Sequence, residues 1–122
     1  MKPWQRDQLT RALERRREAL LEELMRDAAR ARDEQFGELA GPVTDIGDES
    51  VAALLADLDQ AELSRDVAEL REVEAARKRL AGGAYGICAD CGAEIAFERL
   101  HAEPAAARCF ECQAHHEKTY RR

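Results

Sequence analysis

The sequence predicts a mostly α-helical protein: a long antiparallel helical hairpin, or coiled coil, joined to a small cysteine-bearing module that ends in a short C-terminal helix. Three observations carry this. Two stretches of about 33 residues each lack internal glycine and proline and place apolar residues at helical spacing. Hydrophobic residues make up 45% of the chain but aromatics only 5%, so the apolar content is mainly Ala and Leu, which suits helix seams better than a thick globular core. All four cysteines follow the second stretch.

The first helix is expected from Trp4 to about Phe36, where Leu9, Leu13, Leu20, Leu24, Ala28 and Ala31 recur at steps of three, four or seven. Pro3 stands where a first-turn proline is tolerated. The run Gly37-Glu38-Leu39-Ala40-Gly41-Pro42 supplies the breakers that end this helix and turn the chain. The second helix is expected from about Asp48 to Ala81, on a stripe of Val51, Leu55, Leu58, Leu63, Val67, Leu70, Val73 and Leu80. The stripe changes phase between Leu58 and Leu63, so no strict heptad is inferred.

At 1.5 Å rise per residue each helix spans roughly 50 Å, and neither is apolar all round, so each needs a partner. Folding back on one another satisfies both, with the tip of the hairpin at about residues 37–50. Gly82-Gly83 closes the second helix, because glycine readily takes the left-handed conformation just past a helix end. The expected division is therefore a hairpin over residues 1–83 and a cysteine module over 84–122.

Charge is unevenly spread. Residues 33–62 hold nine Asp/Glu and no Lys or Arg, whereas the whole chain has a net charge of −6. The tip thus carries most of the negative field. An acidic balance disfavours a phosphate backbone as partner, and no segment has the roughly 20 consecutive apolar residues of a membrane span. The N-terminal segment also lacks the apolar run of a secretion signal, so a cytoplasmic location is expected.

Cys88-Ala89-Asp90-Cys91 and Cys109-Phe110-Glu111-Cys112 are two CxxC pairs separated by seventeen residues, the spacing of a four-cysteine zinc site. Two intervening residues let both thiolates of a pair face one ion, and Gly92 relieves crowding in the first turn. Four thiolates fill a tetrahedral shell and leave no position for water or substrate, so Cys88, Cys91, Cys109 and Cys112 should hold one structural zinc. Catalysis by this metal is not expected. Paired cysteines of the thioredoxin kind and a thiol switch at the site are the competing readings. His101, His115 and His116 are surplus to a filled shell. The second cysteine pair should lead into a helix from about Phe110 to Tyr120.

At the tip, Asp45 and Asp48 sit three residues apart in Thr44-Asp45-Ile46-Gly47-Asp48-Glu49-Ser50. One aspartate is accounted for by helix capping and the helix dipole. On local physics alone, both capping and a binding role for the pair stay open.

The run Tyr85-Gly86-Ile87-Cys88-Ala89-Asp90-Cys91-Gly92, with Glu94-Ile95, Arg99-Leu100, Pro104, Cys109 and Cys112, resembles the DksA/TraR family. That family's D-x-x-D-x-A tip pattern falls on Asp45, Asp48 and Ser50, where serine stands in place of alanine. The resemblance implies a non-enzymatic regulator whose tip enters the secondary channel of RNA polymerase, so that Asp45 and Asp48 destabilise open promoter complexes. It also implies that alarmone-responsive members hold ppGpp with basic residues in and beside the zinc module. Here the matching positions are Glu103 and Gln113, so weak or absent ppGpp dependence is expected. The competing functions are a Gre-like transcript-cleavage or elongation factor, a DNA-binding zinc finger and a plain coiled-coil adaptor. RNA polymerase is the expected partner, with no membrane, no sequence-specific nucleic acid, and a monomeric chain.

Overall fold

The structure, a computed structural model, describes residues 1–32, 46–58 and 65–120. Five helices follow one another: α1 (Pro3–Arg32), α2 (Asp48–Leu58), α3 (Arg65–Gly82), α4 (Phe97–Ala102) and α5 (Phe110–Tyr120). The protein is mostly α, and an isolated bridge between Ile87 and Glu94 is the extended pairing among the described residues. The breakers at 37–42, Asp45, and the phase change between Leu58 and Leu63 lie outside the described residues. The single second helix expected from about Asp48 to Ala81 is instead two helices, α2 and α3: the Arg71 guanidinium reaches the Leu55 carbonyl at 3.4 Å, whereas sixteen residues of one straight helix would span about 24 Å, so α2 packs against α3 and does not extend it.

The residues group into two compact units, one of Met1–Glu14 with Glu72–Arg122 and the other of Arg15–Arg71. In the first, α1 and α3 pair antiparallel. The Arg6 guanidinium donates to the Leu80 carbonyl at 2.9 Å, and Arg77 lies 3.4 Å from the Glu14 carboxylate. Leu9, Leu13, Val73 and Ala76 are buried between these segments, and Tyr85, Ile95 and Leu100 are buried in the part that follows α3. Cutting a fully buried leucine such as Leu13 to alanine costs about 2–5 kcal/mol, because the neighbours collapse only in part around the void.

The second unit buries Leu20, Leu21, Leu24, Val51, Val67 and Leu70. Arg16 grips Glu69 through one guanidinium edge, its Nε and Nη2 donating to the two carboxylate oxygens at 2.5 and 2.7 Å. This hydrogen-bonded pairing lowers the Glu69 carboxyl and raises the Arg16 guanidinium from their ordinary values. Both side chains are partly solvated, so the pair fixes geometry more than it adds stability. Arg71 reaches the Leu55 carbonyl at 3.4 Å, tying α3 to α2. The leucines of the expected α1 stripe are buried as their spacing requires, and Leu21 and Arg17 join them.

The end of α3 follows from two glycines. Gly83 has φ of 82°, the Ala84 amide donates to the Arg79 carbonyl at 2.9 Å, and the Gly83 amide donates to Leu80 at 3.4 Å. These are the paired bonds of a Schellman motif, which satisfy carbonyls that the last turn leaves open. The Arg6 bond to Leu80 adds a cation at the negative end of the helix dipole.

Candidate metal centre

The first cysteine pair sits in a tight, backbone-bonded knuckle. The Cys88 amide donates to Ala93 at 2.8 Å, Gly92 donates back to Cys88 at 3.0 Å, and Ile95 donates to Gly86 at 2.7 Å. Gly92, with φ of 77°, supplies the left-handed residue that this turn needs directly after Cys91.

The second pair is brought alongside by contacts across the loop between them. The Ala89 amide donates to Ala107 at 2.8 Å, and Arg108 holds the Asp90 carboxylate at 2.9 Å. Arg99 donates to the Arg108 carbonyl at 2.7 Å, so α4 fixes the approach to Cys109. The Gln113 amide donates to Cys109 at 2.9 Å, making Cys109 the residue from which α5 starts.

Beneath the knuckles lies a small base. The buried Tyr85 hydroxyl donates to the Pro104 carbonyl at 2.7 Å, and Arg79 reaches the Ala105 and Ala106 carbonyls at 3.3 and 3.4 Å. Burial pushes the Tyr85 phenol up to about 12 and the Arg79 guanidinium down. Leu100 of α4 is fully buried here. Trp4 packs edge-on against Phe97 with ring centroids 5.8 Å apart, and Phe97 in turn lies 5.8 Å from the His101 ring.

The four Sγ atoms of Cys88, Cys91, Cys109 and Cys112 lie within 4.8 Å of one another, with Cys91 and Cys109 at 3.9 Å. A zinc–sulfur bond of about 2.3 Å gives a tetrahedron with edges of about 3.8 Å, so the thiols fit a single zinc without rearranging the backbone. The chemistry of the donor set agrees. Amides of Cys91 and Cys109 lower the Cys88 thiol to about 6, whereas the neighbouring thiols, Cys109 first, raise Cys112. One thiolate is favoured and further ones repel it, a conflict that a divalent cation removes. These cysteines are positioned to bind one structural zinc, and a filled shell of four sulfurs leaves no open coordination position.

Of the expected tip residues, Asp45 lies outside the described residues. Asp48 opens α2 beside Glu49, where both carboxylates complement the positive end of the helix. Asp48 and Ser50 are exposed. An Asp48 carboxylate oxygen lies 3.8 Å from the buried guanidinium of Arg17, a neighbour that the sequence reading did not anticipate. The signal was present as a charged residue between Leu13 and Leu20 in an otherwise apolar stripe. Helix α4 was also missed; at six residues it is too short to show a periodic pattern.

Residues 83–118 match the prokaryotic dksA/traR C4-type zinc finger family. General stress protein 16O of Bacillus subtilis (strain 168) is 36% identical over 84 residues, covering 66% of this chain and 50% of that protein. An uncharacterized protein, YteA, of the same organism is 35% identical over 78 residues, covering 64% of this chain and 33% of that protein. An uncharacterized protein of Aquifex aeolicus (strain VF5) is 43% identical over 47 residues, 38% of this chain and 32% of its own length. The chain thus spans half or less of the curated relatives it matches. Among solved structures, transcription factor DksA2 from Pseudomonas aeruginosa superposes with a TM-score of 0.66 at 28% identity, over 99% of this chain and 89% of that one.

Proposed function

We propose that this chain, which belongs to the DksA/TraR zinc-finger family, regulates transcription by binding RNA polymerase and presenting acidic residues in the enzyme's secondary channel. The observation that carries this reading is the likeness to a transcription factor, DksA2, along 99% of the chain. The charge distribution supports it: residues 33–62, which contain Asp45 and Asp48, hold nine carboxylates and no lysine or arginine. Carboxylates brought near the Mg²⁺ and basic groups of a polymerase active site interact strongly where water is excluded. In this reading Asp45 and Asp48 shorten the lifetime of open promoter complexes, and Ser50, in place of alanine, modulates that effect.

The zinc module has a supporting role. Residues 84–122 form a base stabilised by the metal, and residues 1–83 provide the helical hairpin that carries the acidic segment. No step of catalysis is assigned to the chain, which acts in the cytoplasm as a monomer. A DNA-binding role for the finger is disfavoured, since residues 82–122 carry six acidic and five basic side chains before any thiolate is counted.

Weak dependence on ppGpp follows from two side chains. Glu103 offers an anion where a phosphate ligand needs a cation, and the Gln113 amide is engaged by the Glu117 carboxylate at 2.9 Å. The test is the lifetime of open complexes at a ribosomal promoter, using RNA polymerase whose other alarmone site has been removed. The wild-type chain should shorten that lifetime with or without ppGpp, and Asp45→Asn combined with Asp48→Asn should bind core enzyme yet lose the effect. A double variant as active as wild type would remove the tip from the mechanism. Potentiation of several-fold by ppGpp would overturn the alarmone-independent part alone.

A further inference from the structure

The contacts of α2 place it alongside α1 and α3, well short of the last residue of α1. The Arg17 guanidinium donates to the Ile46 carbonyl at 3.0 Å and lies 3.8 Å from an Asp48 carboxylate oxygen. Arg17 follows Arg16, which pairs with Glu69, and stands fifteen residues before the end of α1 at Arg32, about 22 Å along the helix. Toward the other end of α2, Arg71 of α3 donates to the Leu55 carbonyl at 3.4 Å, one of the last four carbonyls that a helix cannot bond within itself. Two arginines, one from α1 and one from α3, thus hold α2 near its two ends.

The hold is shallow. Among the described residues of α2 only Val51 is buried; Leu54 and Leu55 are half-buried and the others are exposed. Eleven residues are too few for a helix to persist in water by itself, while Arg16 and Glu69 join α1 to α3 without α2. The identity of residue 17 points the same way. Its guanidinium, 4% exposed, gives up hydration when α2 covers it and recovers that hydration when α2 leaves. A leucine at this place in the α1 stripe would instead leave apolar surface in water on release. Arginine therefore narrows the free-energy gap between the covered and uncovered states.

From these contacts we infer that α2 is an autoinhibitory strap: in the free chain Arg17 and Arg71 stow it against α1 and α3, and it detaches before Asp48 can be carried to the end of the hairpin. The inference rests on the polymerase reading above and adds a regulatory step to it. Asp48 is withheld by position and not by burial, since its side chain is 78% exposed. Release leaves the Arg16–Glu69 pairing of α1 with α3 in place; it breaks the two arginine contacts, hydrates both guanidinium groups and uncovers Val51. A polymerase that takes only the released form binds with an apparent affinity reduced by the fraction of chains that are open.

The test compares wild type with Arg17→Glu and Arg71→Glu, each of which sets a carboxylate against one end of α2 and leaves the sequence of α2 intact. Amide hydrogen exchange is followed by NMR on the full-length, zinc-loaded proteins, and affinity for core RNA polymerase is measured on the same samples. In the wild type the amides of residues 52–55 should be protected, yet should open more readily than those of Leu20, Leu21 and Leu70. Either variant should lose protection in α2 and keep it in α1 and α3. Its affinity for core enzyme should rise by the factor by which α2 protection falls, about 10- to 1,000-fold for a minor open state. Arg71→Glu serves if glutamate in the α1 seam impairs folding. Protection of α2 equal to that of α1 and α3, or an affinity that stays level or falls once α2 is released, would overturn the inference. Wild type that binds and displaces a Gre-type factor, with variants that bind no tighter, would sink the strap alone. Failure of wild type and both variants to bind core enzyme would remove the polymerase reading and the strap's role with it.

Discussion

Tyr85 illustrates how single side chains hold the metal-bearing base together. Its hydroxyl is buried and bonded to Pro104, and burial raises the phenol from 10.0 to about 12. Between those values the folded chain keeps a proton that the unfolded chain has lost, so stability falls as pH rises through that window and is fully retained below it. Denaturation midpoints measured from neutral pH upward should therefore drop from about pH 10 onward. Tyr85→Phe should lower the neutral-pH stability by about 1–2 kcal/mol, through the stranded Pro104 carbonyl, and flatten that pH dependence. An unchanged alkaline slope in the variant would contradict the assignment. The cysteines make a sharper prediction at the same scale. Wild-type protein should carry about one zinc per chain, and stripping the metal should change the emission of Trp4, the chain's single tryptophan, which packs on α4 through Phe97. Cys109→Ser leaves three thiolates and should lose zinc to a chelator that the wild type resists; equal retention would argue against a four-sulfur shell.

At the scale of elements, the close of α3 separates two adjacent glycines by their conformation. Gly83 lies at φ of 82°, a region in which a side chain is strained, whereas Gly82 ends the helix with open space where a Cβ would stand. Gly83→Ala should destabilise the protein by about 1 kcal/mol or more, and Gly82→Ala should be neutral or mildly stabilising, both read by urea denaturation. Equal effects would mean that the Schellman geometry does not govern this terminus. The long stripe of α1 was legible in the sequence because burial imposes a period: Leu9, Leu13, Leu20 and Leu24 are all buried, whereas the division of the second stripe into α2 and α3 was not, because it shows in tertiary contacts such as Arg71 to the Leu55 carbonyl. The start of α5 was legible through the second cysteine pair, and the end of α3 through Gly82-Gly83. Helix α4 was not, because its buried residue is Leu100 alone and its N-cap, Ala96, has no side chain that could signal a start.

At the scale of the molecule, the metal centre could be read almost whole from the sequence. Paired thiols at fixed spacing leave little geometric freedom, and the four sulfurs converge as that spacing requires. Contacts that assemble the site from a distance had no such signature. Arg99 reaching the Arg108 carbonyl, Arg108 reaching Asp90, and Arg17 beneath Asp48 join residues whose relation is set by folding and by no local pattern. Among the described residues no helix is long and apolar enough to cross a membrane. The central claim is that this chain occupies the polymerase secondary channel. Its most direct test is equilibrium competition for purified core RNA polymerase between the zinc-loaded chain and a Gre-type factor already seated in that channel. Mutually exclusive binding is predicted, with displacement rising in proportion to the concentration of the chain. Simultaneous binding of both proteins, or no binding of this one, would contradict it.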